Sequence, residues 1–156
     1  DGSTDNTEEI AKSYGDKIRY FAKENGGVAT ALNLAIRNAK GEYISWLSHD
    51  DVYYPEKIER QIEELAELDD ENVILFSDYE FMNDESDVTG PMTLDHDMLK
   101  KKPEYSLFRG CINGITLLIP KKAFDEYGKF DERLKCTQDY EMWNFMMKSY
   151  GWMKKG

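Results

Sequence analysis

Two adjacent carboxylates, Asp50 and Asp51, come two residues after a short apolar run at 42–47, which ends at Ser48-His49. Such a run is typical of a strand that is buried on both faces, so the pair stands on a loop at the carboxyl end of a strand. Carboxylate oxygens suit Mg²⁺ and Mn²⁺, which keep open positions for phosphate oxygens. The pattern therefore indicates a divalent-cation site. Spacing alone favours a simpler role, in which the two residues cap the helix at Pro55 or form an Asx-turn.

A third carboxylate, Asp139, stands in the first turn of the last predicted helix. The helix dipole favours a negative charge there, and the carboxylate could accept a proton from a hydroxyl. An acid that merely stabilises the helix start is an equally ordinary interpretation. Trp143 lies one turn further on the same face, where the pattern favours a core residue over an apolar wall for a sugar. His49 is more typical of a hydrogen-bonded loop residue than of a metal ligand, and we leave it out of the candidate set.

These residues need a scaffold, and strands alternate with helices from residue 1 to about residue 80. The predicted strands are 18–23, 42–47, 73–81 and 114–120, and the predicted helices are 6–14, 28–39, 55–68, 98–102, 121–127 and 138–150. An acidic stretch at 83–97 is predicted to be a surface loop. The alternation predicts an α/β domain with a doubly wound, mainly parallel sheet flanked by helices, which binds ligands outside the carboxyl ends of its strands.

The composition describes an ordinary globular domain of 156 residues, with 40% hydrophobic and 33% charged residues. Acidic residues outnumber basic ones by 31 to 20, and the net charge of -11 disfavours a nucleic-acid partner. The same charge repels an anionic nucleotide, so a site for one would need a cation or a local positive end.

Other common site patterns are missing from the sequence. Cys111 and Cys136 lack metal-ligand spacing and are interpreted as reduced thiols of a cytoplasmic protein. The glycine-rich dinucleotide and phosphate-loop motifs are absent, as are EF-hand and zinc patterns. Neither a signal-peptide pattern nor an apolar run of membrane-spanning length occurs in these residues.

Several landmarks occur in an order that is more specific than any one of them. They are Asp1-Gly2-Ser3-Thr4-Asp5, then Glu24-Asn25-Gly26-Gly27 with Ala31 and Asn33, Gly41-Glu42-Tyr43-Ile44, Asp50-Asp51 before Pro55, the segment 124–131, and Gln138-Asp139-Tyr140-Glu141-Met142-Trp143. This series resembles the family 2 glycosyltransferases, which have the GT-A fold, and it covers nearly the whole chain. The chain differs from the commonest pattern at Ser48, where a first aspartate is usual, and at Gln138, where a glutamate often precedes the base.

The resemblance implies an inverting, metal-dependent transfer of a sugar from a nucleoside-diphosphate sugar, expected to be UDP-linked, to a glycan, lipid-linked or polysaccharide acceptor. By the same resemblance, the nucleotide-sugar is bound by Asp1, Gly26, Gly27 and Asp50. The Mn²⁺ or Mg²⁺ is bound by Asp50 and Asp51, and Asp139 is the general base that takes the proton from the acceptor hydroxyl. Residues 1–82 would form the nucleotide-sugar half of a single domain and residues 83–156 its acceptor half. We expect a bacterial cytoplasmic protein, and peripheral attachment at the inner face of the cell membrane is the other location considered. The alternative is a non-catalytic fragment or pseudoenzyme that binds a nucleotide-sugar or a partner protein.

The first strand, the following helix and the second strand of that family have no counterpart in residues 1–156, so the sequence predicts a domain that is incomplete at its N-terminus. In that fold the two strands lie between the 18–23 and 42–47 strands. Without them we expect unpaired strand edges and exposed apolar surface. Residues 1–156 alone are therefore expected to fold poorly or to rearrange, and a cooperative melt at high temperature would contradict this expectation.

Overall fold

The computed structural model describes residues 1–68, 70–95, 102 and 112–154. The helices in these ranges are α1 (Thr7–Ser13), α2 (Val28–Asn38), α3 (Lys57–Leu68), α4 (Lys121–Tyr127) and α5 (Gln138–Met146), with 3₁₀ turns at Gly15–Lys17 and Gly114–Thr116. The strands are β1 (Tyr43–Ile44), β2 (Val73–Phe76), β3 (Tyr79–Met82), β4 (Val88–Met92), β5 (Ile119–Pro120) and β6 (Gly151–Lys154). Apart from Lys102, the helix predicted at 98–102 lies outside the described residues.

Four strands lie side by side at the centre of the fold. Strand β2 pairs in parallel with β6, with Val73 opposite Gly151, and β1 pairs antiparallel with β5. Leu75 and Leu118 exchange two backbone hydrogen bonds of 3.1 and 2.9 Å, which join the two pairs. The order across the joined pairs is therefore β6, β2, β5, β1. Strands β3 and β4 form a separate antiparallel hairpin.

The predicted α/β class is confirmed, and the pairings among the described strands are mixed in direction. Residues 18–23 were predicted to form a strand, but they are mostly exposed and pair with no described strand. The predicted loop at 83–97 contains β4, because Asn83 closes a tight hairpin turn. Its side-chain Oδ1 accepts the backbone N–H groups of Glu85 at 3.1 Å and Asp87 at 2.8 Å. The last helix was predicted to extend to residue 150, and strand β6 begins at the next residue, Gly151.

Strand β2 is buried on both faces, as its uninterrupted apolar sequence predicts. Ile74 and Phe76 belong to the main core, together with residues of α2, α4 and α5. Val73 and Leu75 point to the other face and pack with Leu65 of α3. Helices therefore cover the central strands on both sides, which leaves the strand ends and their loops to form sites.

An apolar groove of about 460 Å³ lies between α2 and β1. Its lining includes Leu32, Ala35, Ile36, Ala39, Ile44 and Trp46. Strand β1 pairs with β5 on one edge and, among the described strands, with none on the other. The groove and the open edge of β1 are features of the described residues, and the incomplete N-terminus from which the sequence analysis expected such features stays a prediction. The poor folding expected of residues 1–156 alone stays a prediction.

Candidate functional site

Asp1 lies against the glycine loop at 24–27. Its Oδ1 accepts hydrogen bonds from the backbone N–H of Gly26 at 3.0 Å and from the Lys23 ammonium at 2.7 Å. Gly2 permits this approach, because its φ is +69° and a Cβ there would lie 2.7 Å from the backbone nitrogen of Asn25. The structure therefore brings together Asp1 and Gly26, two of the residues predicted to bind the nucleotide-sugar.

Gly27 connects this loop to α2. Its φ of 88° lies in the region that favours glycine, and its carbonyl accepts the backbone N–H of Thr30 at 3.0 Å. The Thr30 hydroxyl donates to the same carbonyl at 2.7 Å. The positive end of the α2 dipole consequently adjoins the loop that holds Asp1, a suitable location for an anionic ligand.

The carboxylates of Asp50 and Asp51 stand on the loop that follows β1. The Asp50 side chain is 70% exposed, and Asp51 is half-buried. The backbone N–H of Asp51 donates to the Ser48 carbonyl at 3.4 Å, which closes a turn. The exposed His49 side chain has its Nδ1 3.7 Å from Asp50 Oδ1. Helix α3 begins only at Lys57, and neither aspartate side chain accepts a hydrogen bond from the described residues. The capping and Asx-turn alternatives therefore gain no support from the structure.

The donor set at this loop fits a cation that is shared with a ligand. The described residues include no group of three or more histidine, cysteine, aspartate or glutamate side chains that could enclose a metal ion. Mg²⁺ is commonly held by one or two carboxylates together with substrate phosphates and water, and Asp50 and Asp51 can supply those two carboxylates. The site suits a metal that arrives with a nucleotide.

Tyr53 closes the acidic loop onto the end of the strand. Its hydroxyl donates to the Trp46 carbonyl at 2.6 Å and lies 2.8 Å from Ser45 Oγ, while the Lys57 ammonium stands 4.4 Å from the centre of its ring. Burial raises the pKa of Tyr53, the Ser45 hydrogen bond opposes that rise, and the charge of Asp51 adds to it. Sequence reasoning missed Ser45, Tyr53 and Lys57. The spacing of Tyr53 and Lys57, four residues apart directly after the acidic pair, was the available signal.

Asp139 lies in the first turn of α5 and is half-buried. Its Oδ1 accepts the backbone N–H of Tyr140 at 2.9 Å. Thr137, just before the helix, has φ 62° and ψ 11°, a left-handed conformation that is rare for a β-branched residue. The preceding Gln138 is buried, and its Oε1 has no hydrogen-bond partner among the described residues. A strained turn thus sets the direction in which α5 starts and the position of Asp139.

Trp143 is a core residue, as its helical spacing favoured, and not the apolar wall for a sugar that was the other candidate role. Its side chain is 1% exposed, and a sugar-binding wall needs an accessible ring face. Its ring meets Phe130 edge-on at a centroid distance of 5.9 Å, and Phe130 meets Trp46 in the same way at 6.2 Å. This aromatic ladder of Trp46, Phe130 and Trp143 runs from the segment between β1 and the acidic loop to the helix that carries Asp139.

Asn33, on α2, fixes the middle of the aromatic ladder. It is 1% exposed, its Nδ2 donates to the Phe130 carbonyl at 3.0 Å, and its Oδ1 accepts the Phe130 N–H at 3.0 Å. The same Nδ2 donates to Glu132 Oε1 at 2.8 Å. Among the described residues, no hydrogen bond or ion pair joins Asp139 directly to Asp1 or to the acidic loop. The candidate residues are therefore related through the core, by way of Asn33 and the aromatic ladder.

A central sheet covered by helices, with an acidic pair at a strand end and a glycine loop before a helix, is the arrangement that the sequence predicted for a GT-A domain. Residues 1–128 match the family model described as Glycosyl transferase family 2, and the chain belongs to this family. An uncharacterized glycosyltransferase of Rickettsia typhi is 53% identical over 146 residues, which make up 92% of this chain and 46% of that protein. The chondroitin synthase of Pasteurella multocida is 48% identical over 67 residues, or 41% of this chain and 7% of that protein.

The fold has a counterpart among solved structures. The crystal structure of residues 1–349 of S. aureus TarS superposes with a TM-score of 0.69 at 22% identity, covering 98% of this chain and 46% of that one. This similarity confirms the GT-A-like fold class. The chain spans about half the length of the Rickettsia relative. In the part of the chain that the structure describes, no helix has the length and apolar character that a membrane span requires.

Proposed function

We propose that this chain forms the catalytic part of an inverting glycosyltransferase, which moves a sugar from a UDP-linked donor to a hydroxyl of a glycan or lipid-linked acceptor. Membership of glycosyl transferase family 2 supports the reaction class. The observation that carries the proposal is the state of Asp50 and Asp51. Their carboxylates lie on the loop that follows β1 and make no hydrogen bond to the described chain, so they remain available to a ligand. A cytoplasmic location stays a prediction.

Donor binding would involve the two ends of the nucleotide-sugar separately. Both hydrogen bonds that reach the Asp1 side chain end on Oδ1, which leaves Oδ2 to accept a hydrogen bond from the base or the ribose. Gly26 and Gly27 allow a ligand to approach the backbone closely, since neither has a side chain. Asp50 and Asp51 would hold Mn²⁺ or Mg²⁺ against the diphosphate. When bound, such a cation offsets the charge that develops on the departing nucleoside diphosphate.

Asp139 would act as the general base. Its Oδ1 is oriented by the Tyr140 N–H, so Oδ2 can receive the proton of the acceptor hydroxyl. The acceptor oxygen then forms a bond to the anomeric carbon while the bond from that carbon to the diphosphate oxygen breaks. Because the oxygen enters opposite the leaving group, the configuration at this carbon inverts. The remaining division into a nucleotide-sugar half at 1–82 and an acceptor half at 83–156 is part of the same proposal.

The first test is titration calorimetry of the full-length protein with UDP, in Mn²⁺ and then in EDTA. We expect binding that needs the metal and that falls by roughly 100-fold in the Asp50→Ala/Asp51→Ala variant, because the cation loses its protein ligands. The matched control is Asp84→Ala/Glu85→Ala, which removes an adjacent acidic pair from the exposed β3–β4 turn and should bind like the wild type.

Two results would count against the proposal in different ways. UDP binding that survives both EDTA and the loss of Asp50 and Asp51 would place the nucleotide elsewhere and refute the metal site. Failure of the wild type to bind UDP, GDP or TDP would favour the non-catalytic alternative and leave the family and the fold standing.

A further inference from the structure

The Lys57 ammonium has an unusual environment for a charge near an acidic loop. It is half-buried at the start of α3, six positions after Asp51. It donates to Gln61 Oε1 at 2.9 Å and to Ser45 Oγ at 3.3 Å, and it lies over the Tyr53 ring. No carboxylate of the described residues lies within ion-pair distance of it. All its contacts are therefore to neutral groups.

Stability does not explain a cation in this position. Burying an ammonium without a carboxylate partner costs free energy, and burial lowers the pKa of Lys57 to about 8. A methionine of similar length would fill the same space without that cost. The charge and its hydrogen bonds therefore call for a different explanation, which the network around them supplies.

Hydrogen-bond direction shows what the ammonium does. An ammonium only donates, so Ser45 Oγ accepts from Lys57, and its single proton is shared between the Tyr53 oxygen at 2.8 Å and the Leu117 carbonyl at 3.2 Å. Tyr53 in turn directs its proton to the Trp46 carbonyl. This donor chain from Lys57 to Trp46 ties together the two ends of the acidic loop. Without the ammonium, Ser45 Oγ would lose the donor that fixes it from the α3 side.

The base of the donor chain is itself anchored. Gln61, which accepts from Lys57, is 5% exposed and donates from Nε2 to the Thr116 carbonyl at 3.0 Å. The Lys57 ammonium is thereby held between α3, the end of the β1 segment and the turn before β5.

We propose that Lys57 is the positioning residue of the acidic loop at 48–52, which it holds through Ser45 and Tyr53 so that Asp50 and Asp51 can share one cation. The inference rests on the proposed function of the two aspartates. Lys57 does not touch the ligand in this arrangement, and its contribution is the geometry of the loop.

Hydrogen–deuterium exchange of the full-length protein without any ligand tests the loop directly. In Lys57→Met, exchange at 47–54 should rise about tenfold or more, whereas exchange in β2 should not change. The control is Lys148→Met, which removes an exposed lysine that stands 5.3 Å from the Phe145 ring and should leave 47–54 unaffected. Unchanged exchange at 47–54 in Lys57→Met would overturn the inference, whether or not the protein binds a nucleotide.

Titration with UDP and Mn²⁺ supplies the functional measurement. Lys57→Met should weaken binding by about tenfold, with a melting temperature equal to or above that of the wild type, and Lys57→Arg should recover part of the affinity. A drop in affinity that follows a lower melting temperature would indicate a merely structural role and would overturn the inference. If the wild type fails to bind UDP, GDP or TDP, the proposed function falls, and the exchange experiment still decides whether Lys57 orders the loop.

Discussion

Replacement of Asp139 by asparagine is expected to lower kcat for sugar transfer by about 10²–10⁴-fold, the range that general bases contribute. Asparagine keeps an oxygen for the Tyr140 N–H, so the start of α5 should be preserved, but the amide cannot accept the acceptor proton. Affinity for UDP with Mn²⁺ should stay within about twofold of the wild type, because this carboxylate does not bind the donor in the proposed mechanism. Release of UDP from the donor, with calorimetry alongside it, measures both quantities.

Glu141→Gln provides the matched control for Asp139→Asn. Glu141 is an exposed acid in the same turn of α5, so the substitution changes the charge equally and should leave kcat nearly unchanged. Full transfer activity in Asp139→Asn would rule out its role as the base. The non-catalytic alternative predicts that neither variant differs from the wild type in any assay.

Replacement of Asn33 by alanine is expected to reduce the free energy of unfolding by about 2–4 kcal/mol. The substitution leaves the backbone N–H and carbonyl of Phe130 without the partner they have in the structure, and Phe130 itself is buried. Each unsatisfied buried group costs about 1–3 kcal/mol. Urea denaturation at equilibrium measures the loss.

Asn38→Ala controls for the removal of an asparagine from the same helix. Its Nδ2 donates to the Leu34 carbonyl within α2, which keeps a backbone partner of its own, so the expected cost is below about 1 kcal/mol. Equal losses of unfolding free energy in the two variants would show that the hydrogen bonds between Asn33 and Phe130 stabilise the fold no more than the bond of Asn38 does.

Local sequence signals predicted the elements whose stability depends on their own side-chain pattern. Helix α2 was predicted at 28–39 and ends at Asn38, because the apolar stripe of an amphipathic helix is complete within its own sequence. Residues 18–23 have strand-like composition as well, but a strand also needs a neighbour to pair with, and composition does not report one. The predicted strand at 73–81 divides into β2 and β3 around Asp78, whose Oδ1 accepts the distant Leu94 N–H at 2.8 Å.

The same distinction applies to the candidate site. Asp50 and Asp51 were identified from residue type and from the strand before them, both of which are local features. The contact of Lys57 with Ser45 depends on how α3 packs against the strands, so the sequence did not reveal it. Trp143 is a case in which the sequence allowed two roles. Its spacing on the helix was compatible with a core residue and with a wall for a sugar, and only its packing in the structure distinguished them.

The hydrogen bonds between Asn33 and Phe130 join residues that lie 97 positions apart in the chain. During synthesis at about 5–20 residues per second, α2 would therefore emerge roughly 5–20 s before the segment that completes its surroundings. Throughout that interval the nascent chain would expose the apolar side of α2 and a polar Asn33 with no partner from the later segment. The core around Asn33 consequently forms late during synthesis. Until translation passes Phe130, the early part of the chain stays unaggregated only if aggregation is slow or if a chaperone covers the exposed surface.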